Sequence, residues 1–72
     1  MSNAPKLLDV VALTVDLPDR GLLRGHVGTI VEALEEERFE VEFSDDEGRT
    51  YATLALHASQ FMLLHHRPQM VA

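Results

Sequence analysis

Arg38-Phe39-Glu40-Val41-Glu42-Phe43-Ser44 decides how the chain is read, because Phe39, Val41 and Phe43 alternate without a break against Arg38, Glu40, Glu42 and Ser44. Period two places successive side chains on opposite faces of an extended strand, one dry and one wet. A helix would scatter the same three apolar residues around its axis.

Working outward, Asp45-Asp46-Glu47-Gly48 follows this strand as a turn. Gly48 is free to take a positive φ, and the aspartates can accept hydrogen bonds from nearby backbone amides. A further strand is expected from Arg49 to Leu56, with an ambiguous pattern, since Tyr51 falls on one face and Ala52, Leu54 and Leu56 on the other. His57-Ala58-Ser59-Gln60 reads as one helical turn, and Phe61-Met62-Leu63-Leu64 as a short last strand. Upstream, Leu8 to Val15 is rich in apolar and β-branched residues and reads as the first strand. Asp16 to Gly25 carries Pro18, Gly21 and Gly25 among Leu17, Leu22 and Leu23, which predicts an ordered loop folded back by its leucines.

The second strand is expected to begin at His26 and run toward Leu34. Gly28 inside it signals a bulge or a close backbone approach. Two readings compete for residues 30–38. Thr29-x-x-Glu32 fits a capping box and Ile30 to Arg38 contains good helix formers, so a two-turn helix is one. A hairpin turning at Glu35-Glu36-Glu37 is the other, and the period-two segment that follows favours it. The whole predicts an all-β domain, a small SH3-like barrel of about five antiparallel strands with a short helical turn before the last. No connection is long enough for the crossover that a parallel sheet needs. Residues 8–64 form this domain, between a flexible N-terminus (1–7) and a C-terminal tail (65–72).

Composition narrows the functions. The chain has 72 residues, no cysteine and a formal net charge of −6, and nine acidic residues but only Arg38 as a base lie between Glu32 and Glu47. Such a surface repels phosphates, so nucleic acid is not an expected partner. Thiolate metal sites and disulfides are excluded. No apolar run is long enough to span a bilayer and no export signal is legible, so no membrane association and a cytoplasmic location are expected.

Catalysis finds no foothold in these residues. Glu35 to Glu37 and Asp45 to Glu47 fall in exposed turns, where carboxylates stay ionised. Ser44 and Ser59 lie in no nucleophile elbow, and Gly25-x-x-Gly28 is too short to cradle a phosphate and lacks the following lysine. His65 and His66 are neighbours that would point to opposite faces of a strand, while His26 and His57 could meet only through the fold. No catalytic residue, cofactor, metal or small-molecule substrate is expected. What remains is surface. Leu22, Arg24 and Tyr51, with Phe61 and Met62, are candidate partner contacts, and Glu35, Glu36 and Glu37 form a candidate charged contact.

The succession Asp9-Val10-Val11-Ala12-Leu13, Leu17-Pro18, Gly21-Leu22 and Arg24-Gly25-His26-Val27-Gly28-Thr29-Ile30-Val31 resembles a family of short bacterial proteins of unknown function. The likeness continues through Phe39-Glu40-Val41-Glu42-Phe43 and Asp46-x-Gly48-Arg49-Thr50. The resemblance implies an SH3-like barrel. Gly25-x-Val27-Gly28-Thr29-Ile30 alone is also similar to KOW modules and to the barrel of the nitrile hydratase β subunit. The first implies RNA or protein contact, although the basic residues used for RNA are largely missing here, and the second implies a packing role. The expected function is a non-catalytic protein-interaction module that self-associates as a homo-oligomer. The alternatives are an antitoxin or immunity-type protein neutralising a basic partner by charge complementarity, or an accessory subunit of an enzyme.

Overall fold

In a computed structural model, which describes residues 4–64, five strands run antiparallel in one sheet: β1 (Val10–Leu13), β2 (Val27–Ala33), β3 (Arg38–Ser44), β4 (Thr50–His57) and β5 (Phe61–Leu63). Their order across the sheet is β4-β3-β2-β1-β5. Consecutive strands pair from β1 to β4, and β5 returns to β1. The sheet stays open, with β4 and β5 as its two edges. Residues 1–3 and 65–72, which hold the first three residues of the expected N-terminal arm and the whole tail with His65 and His66, lie outside the described residues.

The alternation that fixed β3 is borne out by burial. Phe39, Val41 and Phe43 are buried and pair with Leu56, Leu54 and Ala52 of β4. The ambiguous pattern of β4 has a simple cause: Phe43 pairs with Ala52 and Ser44 with Thr50, so Tyr51 is an extra residue at a register shift. A bulge of this kind re-aims one side chain. Here it leaves Tyr51 half exposed while Ala52, Leu54 and Leu56 keep facing inward.

Residues 30–38 form the hairpin, not the helix. The Leu34 amide donates to the Arg38 carbonyl and the Arg38 amide to the Glu35 carbonyl, closing a tight turn around Glu36 and Glu37. The two signals attached to Gly28 also separate. The register shift falls between Ile30 and Glu32, where Val31 is the extra residue. Gly28 itself marks close approach, since a Cβ there would stand 2.8 Å from Val41 Cγ1, 2.9 Å from the Glu42 carbonyl oxygen and 2.9 Å from Phe43 Cδ1.

The first strand is shorter than Leu8 to Val15. Leu8 takes a φ of 72° and the Asp9 amide bonds back to the Lys6 carbonyl, so a turn precedes Val10. Even so, the Leu8 amide donates to the Ile30 carbonyl and the Ile30 amide to the Asp9 carbonyl, which extends the attachment to β2. The long loop after β1 folds back through its leucines, as its composition predicts. Leu17 and Leu22 exchange backbone hydrogen bonds of 2.8 and 3.1 Å around the 3-10 turn Pro18–Arg20, and Leu22 is fully buried. The Asp16 carboxylate accepts from the Arg24 amide at 2.8 Å, tying the loop's two ends.

The last connection is a second 3-10 turn, Ala58–Gln60, closed at its N-terminus by a capping box. The Ser59 amide donates to His57 Nδ1 at 3.0 Å, and the His57 amide donates to Gln60 Oε1 at 2.9 Å. This turn is bonded to two distant places at once. Its Ala58 amide donates to the Glu37 carbonyl, and its Gln60 carbonyl accepts from the Thr14 amide. The core that results joins both edges of the sheet, and the rings of Phe39 in β3 and Phe61 in β5 meet edge to face with centroids 5.7 Å apart.

The β2–β3 contact yields a prediction. Gly28→Ala forces a methyl group against a backbone oxygen that cannot swing away, and overpacking of this kind destabilises by about 1–3 kcal/mol. Urea denaturation of the variant should show a lower midpoint with an unchanged slope; an unaltered midpoint would refute the close approach.

Candidate functional site

The eight residues singled out as partner contacts do not form one surface. Leu22 and Phe61 are corrected outright, being 0% and 6% exposed. Both are recruited to the core because the loop after β1 and the start of β5 close over the inner face of a sheet too small to be covered by strands alone. Met62, next in line, points to the outer face and is 53% exposed. Arg24 lies in the exposed end of the loop, where its amide is held by Asp16. Tyr51 is exposed at the start of β4, while Glu35, Glu36 and Glu37 sit exposed at the β2–β3 turn. The glutamates and Tyr51 therefore flank opposite ends of β3, whose seven residues span roughly 20 Å.

Two surface features emerge in place of the single patch. The first is an outer-face row. Ala12 pairs with both Met62 and Val27, so these three side chains stand abreast on β5, β1 and β2. Val27 is half exposed and reaches the second feature, an open cleft of about 460 Å³ lined by Gly25, His26, Val27, Ser44, Asp45, Asp46 and Tyr51. Sequence reasoning missed Val27, His26 and Asp46. The outward phase of Val27 was legible from Gly28 beside it, but the meeting of the β1–β2 loop with the β3–β4 turn was not.

Within the cleft the side chains have unequal freedom. Asp45 Oδ1 accepts from the amides of Glu47 and Arg49, each at 2.9 Å, which is the aspartate-built turn expected of this sequence. Arg49 reaches Asp45 Oδ2 through Nε at 3.5 Å and Glu47 Oε1 through Nη2 at 2.7 Å. Asp46 takes part in no ion pair or side-chain hydrogen bond among the described residues. The His26 ring accepts the Leu23 amide at Nδ1, 3.0 Å away, and so is fixed at the cleft's wall.

Among the described residues no three His, Asp or Glu side chains converge as metal ligands, and no buried side-chain polar atom lacks a hydrogen-bond partner. His57 Nδ1 lies 2.9 Å from Ser59 Oγ, but this exposed pair is occupied in capping the last turn. No described helix is long and apolar enough to cross a membrane.

A small all-β domain built on one open five-stranded antiparallel sheet, with its distinctive features on loops and edges, is the class to which these observations lead. The chain belongs to the DUF4926 family, a domain of unknown function, whose model matches residues 7–63. No curated protein and no solved structure matches it.

The glutamate turn carries its own prediction. Glu36 and Glu37 have φ values of 59° and 60°. Hairpins with two positive-φ residues favour Asn-Gly, and an ordinary residue held there loses about 1–2 kcal/mol. Glu36→Asn combined with Glu37→Gly should raise stability by about 1 kcal/mol or more, read as a higher thermal midpoint; a lower midpoint would show that the turn is of another kind.

Proposed function

We propose that the domain is a non-catalytic protein-interaction module that self-associates by pairing the free edge of β4 with β4 of a second copy. One observation carries this reading. Among the described residues no strand hydrogen-bonds to the outer edge of β4, and its stretch Thr50-Tyr51-Ala52-Thr53-Leu54-Ala55-Leu56 contains no charge and no proline. Edge strands in monomers are usually blunted by lysine, proline, inward charges or brevity. The opposite edge, β5, is three residues long and needs no such device. β4 is eight residues long and has a bulge only at its start. Antiparallel pairing about a two-fold axis would satisfy its free backbone groups and continue the sheet into the neighbour. The likeness to SH3-like barrels is part of the same proposal, supported by the meander of four strands whose fifth returns to the first.

A second reading, a basic protein partner as in an antitoxin, is favoured by one feature. Glu36 and Glu37 occupy backbone positions that glycine or asparagine would hold more stably, and strained residues often mark functional sites. Here the charge itself would be what the turn presents.

Sedimentation velocity over a dilution series tests the first reading. The natural chain should move from dimer to monomer as it is diluted. Thr53→Lys with Ala55→Lys places lysines beside Glu42 and Glu40, their cross-strand neighbours on β3. That double variant should stay folded and monomeric throughout. A natural chain that remains monomeric at the highest attainable concentration would end the self-association reading.

A further inference from the structure

The geometry points to the cleft between the β1–β2 loop and the β3–β4 turn as a receptor for a cationic side chain, an arginine or lysine presented by a protein partner. This deepens the interaction-module reading by naming a partner chemistry, and it does not depend on pairing of β4.

Three groups of unlike kind meet there. Asp46 supplies a carboxylate that no described residue pairs with, whereas both neighbouring acids are engaged by Arg49. Tyr51, at the register shift in β4, supplies an aromatic ring that is 49% exposed. Val27, 50% exposed, supplies an apolar surface between them and the row leading to Met62. A guanidinium or ammonium group can pair with the carboxylate, rest over the ring face and lay its methylene stem along the valine. An anion would meet Asp45 and Asp46 and be repelled. A purely apolar side chain would strand the Asp46 carboxylate against hydrocarbon. The Asp45 carboxylate accepts from the Glu47 and Arg49 amides and the Asp45 amide donates to the Arg49 carbonyl, which holds the turn in shape before any ligand arrives, so little ordering is needed on binding.

The test is a titration of the isotope-labelled chain, followed by amide chemical shifts, with N-acetyl-Gly-Arg-Gly-amide and with the same peptide carrying norleucine for arginine. The arginine peptide should shift Gly25, Val27, Asp46 and Tyr51, and the norleucine peptide should not. Asp46→Asn should weaken binding about two- to five-fold, the scale of one exposed ion pair. Tyr51→Leu should weaken it similarly while Tyr51→Phe retains it. Shifts of equal size at Glu35 to Glu37, or an affinity unmoved by Asp46→Asn, would overturn the proposal in favour of diffuse charge attraction. Identical shifts with tetramethylammonium or calcium chloride at matched charge would overturn it in favour of a general cation site. Repeating the titration on the Thr53→Lys, Ala55→Lys chain separates the two surfaces: unchanged peptide binding by that monomer supports the cleft whatever becomes of β4 pairing.

Discussion

The turn Ala58–Gln60 is the constraint from which the rest of the architecture follows. It joins β4 to β5, and these strands lie at opposite edges of a five-stranded sheet. In a flat sheet four inter-strand gaps would separate them by about 19 Å. The four chain steps from His57 to Phe61 reach about 14 Å even when fully extended. A flat sheet is therefore impossible for this chain, and the sheet must roll until its edges approach. The hydrogen bonds of the turn to Glu37 on one side and Thr14 on the other fasten it in that state.

Rolling explains where the core comes from. Phe39 and Phe61 belong to strands three places apart in the sheet, yet their rings touch. The inner face becomes a closed apolar volume with Phe43, Val41, Ile30, Val11, Leu13 and Leu56 at its centre, and Leu22 arrives from the loop to cover one end. Gly28 is the counterpart of this compression, because β2 presses so near to β3 that no side chain fits between them. A small chain without disulfides depends for its stability on burying these residues together.

Rolling also sorts the outside. Two hairpin turns, both acidic, are carried to opposite ends of β3, and Glu40 and Glu42 on its outer face lie between them. On the neighbouring strands the outer face exposes Met62, Val27 and Tyr51, with Ala12 buried between Met62 and Val27. The two features most suited to recognition, the uncharged edge of β4 and the cleft beside Asp46, both depend on β4. Tyr51 at its start lines the cleft, and among the described residues no strand pairs with its far edge.

The amino-acid sequence by itself determined the strands. Period-two alternation in β3, the aspartate-glycine turn after it and the leucine-bearing loop after β1 are local signals, and local hydrogen bonding and burial suffice to read them. It also carried enough of the family's pattern to be matched over residues 7–63. The tertiary structure alone decided which apolar residues were surplus to the core. Leu22 and Phe61 looked as available to a partner as Tyr51 and Met62, since hydrophobicity is equal on both sides of that division. Which of them is buried depends on how far the sheet rolls and on how the loop after β1 folds back over it. The cleft was invisible for the same reason. His26, Val27, Asp46 and Tyr51 are separated along the chain, and only the stacking of β2, β3 and β4 brings them together.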